Sequence, residues 1–246
     1  MFRLDNKVAI VTGAARGLGA ATAKVLASQG ARLALADLDG EEVRKAAAGC
    51  GPDARGYQVD VSRVTQLKQL VANVVRDFGR IDILVNNAGI CPRLPFGTST
   101  EEDWDKLMGV NAKSQYFLMQ AVCPVMKAQG GGRIVNVASS SGRTGAIVNA
   151  SIYSGTKGGI VMFSKSIARE VAADNILVNC VAPGVLDTEI MRGFPAENVQ
   201  RICDQIPLKR LGRPGEVAAL IAFLASDECS YCTGATFDVN GGWFML

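Results

Sequence analysis

Short apolar runs alternate with longer amphipathic segments along almost the whole chain, and this alternation restricts the fold more than any other feature. The runs are rich in Val, Ile and Leu on both faces, which is typical of strands in a parallel sheet covered by helices on both sides. Strands are predicted at residues 7–12, 32–37, 56–59, 81–86, 133–138, 176–181 and 236–239. We therefore expect an α/β fold with a doubly wound, seven-stranded parallel sheet.

The segments between the runs predict helices at residues 17–29, 41–48, 64–78, 104–128, 152–173 and 216–225. No internal repeat and no linker rich in Pro or Ser divides the 246 residues, so we expect a single domain over residues 1–246. Residues 185–214 form the longest stretch without a periodic pattern. This stretch follows a late strand, where ligands of open α/β sheets bind, so we expect it to form a lid.

The chain contains no histidine, which removes the usual general base near neutral pH and a common zinc ligand. Ser–His–Asp hydrolysis and His-ligated zinc dehydrogenation are therefore excluded, and proton transfer must use Tyr, Lys, Cys or a carboxylate. The seven cysteines are irregularly spaced, which favours reduced thiols. Cys229 and Cys232 have no second pair to complete a zinc site, so we expect no metal.

The net charge of +3 is spread along the sequence, which argues against a nucleic-acid or anionic-membrane surface. Residues 2–7 carry charges where an export signal would be apolar, and no window approaches the roughly 18 apolar residues of a membrane span. We expect a cytoplasmic protein that binds neither nucleic acid nor membrane.

Three glycines, Gly13, Gly17 and Gly19, lie where the first predicted strand turns into the first helix. Backbone amides in such a turn can bind a dinucleotide pyrophosphate, although glycines also serve ordinary tight turns. Asp37 ends the second predicted strand, eighteen residues after Gly19, where a carboxylate can accept hydrogen bonds from the adenosine ribose. The order of turn, helix, strand and acid favours a dinucleotide site over a solvated Asp.

Asp37 also bears on the choice of cofactor, because a carboxylate beside the ribose 2′ position repels the additional phosphate of NADP. Arg16 could pair with that phosphate, but Leu38 stands where a second basic residue would assist it. We therefore expect NAD, with NADP as the less favoured cofactor.

Tyr153 and Lys157 are four residues apart in a predicted helix and hence lie on one face. A phenol titrates near pH 10 unless positive charge stabilises its anion. Lys157 and an oxidised nicotinamide ring would both supply that charge. Such a pair also occurs by chance on surface helices, so the motif alone does not establish a function.

Five motifs occur in one order along the chain: a TGxxxGxG turn at residues 12–19, Asn-Asn-Ala-Gly at 86–89, Ser139, the Tyr153 and Lys157 pair, and Pro-Gly at 183–184. With these motifs the chain resembles the short-chain dehydrogenase/reductase family over almost its whole length. The resemblance implies a single-domain Rossmann fold and transfer of a hydride between a nicotinamide cofactor and an alcohol or ketone.

The resemblance also implies a role for each matching residue. Tyr153 exchanges a proton with the substrate, Ser139 binds the substrate oxygen, Lys157 lowers the tyrosine pKa and holds the nicotinamide ribose, and Asn111 completes a water relay. Asp60 and Val61 contact adenine, Asn87 contacts the adenosine side, and Val185 and Thr188 contact the carboxamide. The remaining cofactor contacts are Arg16, Leu18, Leu38, Ala88, Gly89, Pro183 and Gly184.

The choice of serine depends on alignment. Ser139, Ser140 and Ser141 are consecutive, and Ser139 is fourteen residues from Tyr153, one more than the family's usual spacing. Alignment from the strand at residues 132–138 selects Ser139 and leaves Ser140 as the alternative.

Three loops are expected to line the substrate pocket. Their candidate residues, besides Ser139, are Arg93, Leu94, Phe96, Ile147, Val148, Met191 and Phe194. The apolar ones indicate an apolar substrate body, although several could equally pack the lid.

The favoured function is an NAD-dependent oxidoreductase for a small secondary alcohol or ketone. The alternative within the family is an NADPH-dependent 3-oxoacyl-[acyl-carrier-protein] reductase, which is disfavoured because Gly130 and Asp174 stand where such enzymes carry basic residues. A scaffold protein that retains the fold would not need the Ser, Tyr, Lys and Asn set. The resemblance further implies a homotetramer that pairs the helices near residues 105–128 and 152–173 and the final strands.

Overall fold

Seven strands form the centre of the molecule in the computed structural model, which describes residues 2–145, 148–193 and 195–245 and only the backbone of Ile190 and Arg192. The strands are β1 (Val8–Thr12), β2 (Arg32–Asp37), β3 (Ala54–Gln58), β4 (Ile83–Asn86), β5 (Gly132–Val137), β6 (Ile176–Pro183) and β7 (Thr236–Val239). They pair in the order β3-β2-β1-β4-β5-β6-β7. Every pairing is parallel, which confirms the predicted seven-stranded parallel sheet.

The strand order reverses its direction at β1. The chain passes from β1 outward to β2 and β3, then returns to the other side of β1 with β4 and continues to β7. In an open parallel sheet, the carboxyl ends of the two strands at such a reversal leave a crevice between them. The crevice here lies beyond Thr12 and Asn86, at the ends of β1 and β4.

Helices cover both faces of the sheet, as the sequence predicts. They are α1 (Gly17–Ser28), α2 (Gly40–Ala48), α3 (Val64–Phe78), α4 (Glu101–Leu107), α5 (Ser114–Ala128), α6 (Ser141–Thr144), α7 (Ser151–Val171), α8 (Glu189–Arg192), α9 (Ala196–Gln205) and α10 (Pro214–Ala225). One core contains Leu26 of α1 and Ile221 of α10. The second core, on the opposite face, contains Leu70 of α3 and Leu118 of α5.

The predicted helix at residues 104–128 is divided into α4, a π-helical turn at Met108–Lys113, and α5. The helical path continues through the turn, but its hydrogen bonds shift register, and residues beyond it face a new direction. This shift places Asn111 in the interior, where it is 0% exposed.

The expectation that residues 185–214 are irregular is wrong in part, because the stretch contains α8 and α9. Gly193 and Pro195 lie between these two helices, and a proline at that position disfavours one continuous helix. The stretch begins directly after β6, in the position expected for a lid.

All seven cysteines are free thiols, as the sequence predicts. Within the described residues, no three potential metal ligands converge. None of the helices described is both long and apolar enough to cross a bilayer.

Candidate active site

The glycine-rich turn after β1 has a backbone that only glycine accommodates. Gly13 and Gly17 have φ values of +63° and +57°, in the left-handed region that L-residues rarely adopt. A Cβ atom on Gly13 would lie 2.8 Å from the Cα of Ala88, and one on Gly19 would lie 2.0 Å from the carbonyl oxygen of Gly13. The turn therefore packs directly against the segment that follows β4.

Asn87 holds this turn in place. Its side-chain amide donates to the carbonyl oxygens of Thr12 and Gly13 at 2.9 and 3.0 Å. The backbone amides of Asn87 and Ala88 both donate to Thr12 Oγ1 at 3.0 Å. The ends of β1 and β4 are thus joined at the crevice.

The N-terminus of α1 is free to receive an anion. No side chain caps it, and its first turn contains no acidic residue. Its unpaired amides and the positive end of the helix dipole therefore favour a pyrophosphate at Gly17–Gly19, where the turn opens onto the crevice.

Asp37 lies at the carboxyl end of β2 beside the same turn. Its carboxylate accepts hydrogen bonds from the backbone amides of Ala15 at 3.0 Å and Asp39 at 3.1 Å. Asp39 in turn forms an ion pair with Arg16 at 3.2 Å, and the side chain of Leu38 is 66% exposed. The one cation in the glycine-rich turn is therefore already paired with a carboxylate.

Asp60 and Val61 follow β3 at the same edge of the sheet. The hydroxyl and backbone amide of Ser62 both donate to Asp60, and mainly the hydroxyl bond lowers the pKa of that carboxyl group. Val61 is 9% exposed. The two residues therefore lie where the strand order places the adenosine end of a dinucleotide.

Tyr153 and Lys157 lie one turn apart near the start of α7. Tyr153 and Ser139 line the same cleft, and the Ser139 side chain acts to lower the pKa of the Tyr153 hydroxyl. The Ser139 Oγ is hydrogen-bonded to the Ser141 Oγ at 3.0 Å and accepts from the Ser141 backbone amide at 3.2 Å. The backbone amide of Ser140 points the other way and donates to the Pro183 carbonyl oxygen at 3.0 Å. Of the two candidate serines, Ser139 is the one that lines the cleft with the tyrosine.

Burial dominates the titration of both groups. It raises the pKa of Tyr153 to about 12, against the opposing effect of the Ser139 side chain. It lowers the pKa of Lys157 to about 8, although the ammonium group donates to the Val137 carbonyl oxygen at 2.7 Å and lies 5.7 Å from the centre of the Tyr153 ring. The pKa of Tyr153 is thus raised where the sequence predicted that it would be lowered, because the desolvation of a phenolate outweighs the lowering effects of Ser139 and Arg93.

Asn111 is fixed by three hydrogen bonds. Its Oδ1 accepts from the Ile90 backbone amide at 2.8 Å, and its Nδ2 donates to the Ile90 carbonyl oxygen at 3.0 Å and to Thr156 Oγ1 at 3.2 Å. A Cβ on Gly89 would lie 3.3 Å from Asn111 Oδ1 and 3.4 Å from Lys157 Nζ. The space in front of Gly89, between the amide of Asn111 and the ammonium of Lys157, is therefore about the size of one carbon atom.

These elements enclose a cleft of about 680 Å³ at the carboxyl edge of the sheet. The sequence-predicted residues that line it are Leu18, Asn87, Gly89, Ser139, Tyr153, Lys157, Pro183, Gly184, Val185, Thr188 and Met191. Further lining residues were missed, namely Ile90, Cys91, Pro92, Asp103, Lys106, Leu107, Val137, Ala138 and Leu186. Ile90, Cys91 and Pro92 directly follow the Asn-Asn-Ala-Gly motif, so their position in the sequence could have predicted that they line the cleft.

The other proposed pocket residues lie outside the lining of this cleft. Phe96 and Val148 are 88% and 80% exposed. Arg93 donates to the Val148 carbonyl oxygen at 3.2 Å, and the Leu94 backbone amide donates to the Asn149 carbonyl oxygen at 2.7 Å. Ile147 and Phe194 fall outside the described residues, so the part of this group in substrate binding stays a prediction.

Comparison with known proteins agrees with the fold and the cleft. A family model described as enoyl-(acyl carrier protein) reductase matches residues 13–244. The chain is 40% identical to a 3-oxoacyl-[acyl-carrier-protein] reductase of Thermotoga maritima over 98% of this chain and 99% of the relative. It is 37% identical to galactitol 2-dehydrogenase of Agrobacterium fabrum over 99% of this chain and 100% of the relative.

A solved structure gives the same result. A chain described as a short-chain alcohol dehydrogenase from Sinorhizobium meliloti superposes with a TM-score of 0.94 and 33% identity, covering 98% of both chains. The present chain therefore belongs to the short-chain dehydrogenase/reductase family. It is an oxidoreductase of alcohol or ketone substrates that uses a nicotinamide cofactor.

Proposed function

We propose that this enzyme interconverts a small secondary alcohol and its ketone with NAD as the cofactor. The observation that carries the proposal is that Tyr153, Ser139 and Lys157 line one cleft, together with Leu18 of the glycine-rich turn. A proton carrier and a hydrogen-bond donor thus meet at one point where a substrate oxygen can bind.

The residues present fit a dinucleotide. The uncapped N-terminus of α1 would hold the pyrophosphate, Asp37 the adenosine ribose, and Lys157 the nicotinamide ribose, while Val185 and Thr188 would contact the carboxamide. When bound, the nicotinamide supplies the site that accepts or returns the hydride. Every other chemical step falls to side chains of this protein.

NAD is favoured over NADP by charge. Asp37 and Asp39 together place two carboxylates near the expected 2′ position, and Asp39 already pairs with Arg16. A bound 2′-phosphate would have to share Arg16 with Asp39 and approach the carboxylate of Asp37.

The proton path begins at the substrate oxygen. In ketone reduction, the Tyr153 hydroxyl donates its proton to that oxygen as the carbon receives the hydride, and Ser139 stabilises the developing negative charge with a hydrogen bond. A pKa of about 12 keeps Tyr153 protonated and ready to donate at neutral pH. In alcohol oxidation the phenol must first lose its proton, which requires the positive charges of Lys157 and of the oxidised cofactor beside it.

The lining indicates the substrate's chemical character. Ile90, Leu107 and Met191 present apolar surface to the cleft, which suits a compact apolar body attached to the reacting carbon. We further propose that the enzyme acts in the cytoplasm as a homotetramer.

The test is Tyr153→Phe, which keeps the ring and removes the hydroxyl. We expect kcat to fall by about 10²- to 10⁴-fold, the usual contribution of a general acid or base, with NADH binding retained in a fluorescence titration. Tyr231→Phe is the matched control, because Tyr231 is fully exposed and its variant should keep the wild-type rate. Wild-type turnover by the Tyr153 variant would refute the catalytic assignment.

One observation favours a second candidate, a 3-oxoacyl-[acyl-carrier-protein] reductase that uses NADPH, because a relative 40% identical to this chain carries that name. Assays with a 3-oxoacyl thioester and with a panel of ketones and secondary alcohols, each with both cofactors, distinguish the two. We expect turnover of small ketones with NADH, and thioester reduction that requires NADPH would select the alternative.

A further inference from the structure

Arg143 and Asp238 connect the turn that carries Ser139 to the last strand of the sheet. The guanidinium of Arg143, in α6, donates to the carboxylate of Asp238, in β7. The two side chains are 22% and 25% exposed, so water and salt screen this pair less than the fully exposed pairs on the outer helices. The residues are 95 positions apart, and the contact therefore ties two distant parts of the chain.

The turn needs such a contact because it cannot hold its own shape. The helix α6 has only four residues, fewer than an isolated helix needs for stability. Gly145 ends it in the left-handed conformation, with φ of +66°. The position of α6, and with it that of Ser139, must come from tertiary contacts.

Among the described residues, contacts of Ser140, Gly142 and Arg143 join the turn to other elements. The Ser140 backbone amide donates to Pro183 of β6 at 3.0 Å. Gly142 lies directly on α7, where a Cβ atom would come within 2.5 Å of the Lys157 carbonyl carbon. The third contact is the Arg143–Asp238 pair, which is the one that depends on side-chain charge.

We propose that Arg143 and Asp238 are positioning residues, whose ion pair holds α6 so that Ser139 Oγ faces the cleft that Tyr153 also lines and meets the substrate oxygen there. The inference rests on the proposed function for the role of Ser139. Positioning at this level affects rate, because a displacement of about 1 Å costs on the order of 10²-fold in catalysis. The hydrogen bond of Ser140 and the packing of Gly142 on α7 remain when the pair is broken, so the expected loss is smaller than that.

The first experiment measures steady-state kinetics of Asp238→Asn and Arg143→Gln with the most rapidly reduced ketone of the panel. We expect kcat to fall by about tenfold, since the turn loosens without leaving its site, while the KM for NADH changes by less than about twofold. Arg143→Lys, which keeps the charge, should recover most of the rate. Asp174→Asn is the matched control, because Asp174 pairs with Lys127 at 2.9 Å at the opposite end of α7, and it should keep the wild-type kcat.

The second experiment repeats Asp238→Asn in a Ser139→Ala background. If the pair acts through Ser139, the additional loss of kcat should disappear, since residues that act as one unit are not additive. The same tenfold loss in both backgrounds would overturn the inference. Wild-type activity of Ser139→Ala alone would instead refute the proposed role of Ser139, so the two failures are distinguishable.

A readout without substrate completes the test. Hydrogen exchange of the amides at residues 139–145 should be faster in Asp238→Asn and near the wild-type rate in Arg143→Lys, because local opening follows the loss of the anchoring contact. Thermal unfolding identifies any variant that fails to fold, and Arg143→Gln then takes the place of Asp238→Asn. Unchanged exchange in folded variants of both residues would show that the pair does not hold the turn.

Discussion

Lys157 is buried at a cost in stability, because its side chain is 3% exposed and an ammonium group loses most of its hydration there. Burial lowers its pKa from the ordinary 10.5 to about 8, so the unfolded chain binds this proton more tightly than the folded one. The resulting penalty is present in full below pH 8, decreases as the pH rises, and vanishes above about 10.5.

Lys157→Met should therefore stabilise the protein while inactivating it. A pKa shift of this size corresponds to a penalty of about 3 kcal/mol. Loss of the hydrogen bond to Val137 costs about 1 kcal/mol, so the free energy of unfolding should rise by about 2 kcal/mol at pH 7. Urea unfolding at pH 7 and pH 10 should show the gain shrinking at the higher pH. Lys165→Met, at an exposed position on the same helix, is the control and should leave the free energy of unfolding unchanged at both pH values. Equal stability of the wild type and the Lys157 variant at pH 7 would contradict this prediction.

Asp37 is expected to decide the cofactor. In Asp37→Ser the charge is gone but a hydroxyl can still accept from Ala15 or Asp39, so the turn should keep its shape. We expect the ratio of kcat/KM for NAD to that for NADP to fall by at least about tenfold, mainly through better use of NADP. Asp53→Ser is the control, because Asp53 is exposed and lies before the amino end of β3, away from the carboxyl ends of the strands. It should leave the ratio unchanged. Equal efficiency of the wild type with both cofactors would refute the premise.

At the residue scale, the order of the motifs was sufficient to identify the reacting groups but not to predict their pKa values. Tyr153, Lys157 and Ser139 follow from their types and their places after β5, and the structure brings them together. The raised pKa of Tyr153 was not predictable, because it depends on burial by segments that are distant in sequence. A sequence shows which groups can exchange a proton, whereas the solvent around them is a property of the folded chain.

Glu216 links the base of the lid to α10. It accepts hydrogen bonds from the Arg213 backbone amide at 2.7 Å and from Arg210 at 2.7 and 2.9 Å. Within the segment that these bonds hold, Gly212 donates to the carbonyl oxygen of Val185 at 3.0 Å, and Val185 lines the cleft. The lid base is thus fixed at both ends.

Glu216→Ala should weaken cofactor binding more than the chemical step. We expect the Kd of NADH to rise by roughly fivefold, a typical coupling between a supporting contact and a binding loop, with kcat near that of the wild type. A fluorescence titration measures the Kd, and Glu170→Ala, an exposed position at the end of α7, is the control. An unchanged Kd together with a lower Tm would assign Glu216 to stability alone.

Element bounds were predictable where the sequence carries a clear stop signal. The helix α3 has its predicted bounds because Gly79, with φ of +82°, ends it. The four-residue helices α6 and α8 were not predictable, since one turn is too short to show a period. The helix α9 had a signal that was missed, because Val199, Cys203 and Ile206 are spaced along one face. The π-helical turn that buries Asn111 has no counterpart in the sequence pattern, as it is a change of hydrogen-bond register.

At the scale of the whole molecule, the alternation of apolar runs and amphipathic segments predicts parallel strands and two helical layers. It does not predict the order of the strands in the sheet. The order depends on the side of β1 to which each connection returns. Right-handed crossovers restrict the choices without selecting one. The crevice between β1 and β4, and hence the meeting of the two halves of the site, is therefore a property of the whole sheet.

The outer faces of α5 and α7 support the proposed homotetramer. Tyr116 and Met162 are 39% and 53% exposed, and the Tyr116 ring packs edge to face on Phe163 at 5.6 Å. Exposed apolar side chains on two adjacent helices are the surface that an interface between subunits would cover. We expect light scattering after size exclusion to give about four times the chain mass of 25.9 kDa.

Charge on that surface should separate the subunits. In Tyr116→Glu with Met162→Glu, two carboxylates per chain would be buried without partners at a symmetric interface, which costs far more than the lost apolar contact. The mass should fall to that of a dimer or monomer, while circular dichroism stays that of a folded chain. Leu38→Glu adds a charge at a side chain that is 66% exposed but remote from these helices, and it should leave the tetramer intact. A tetramer that persists in the double variant would place its contacts elsewhere on the molecule.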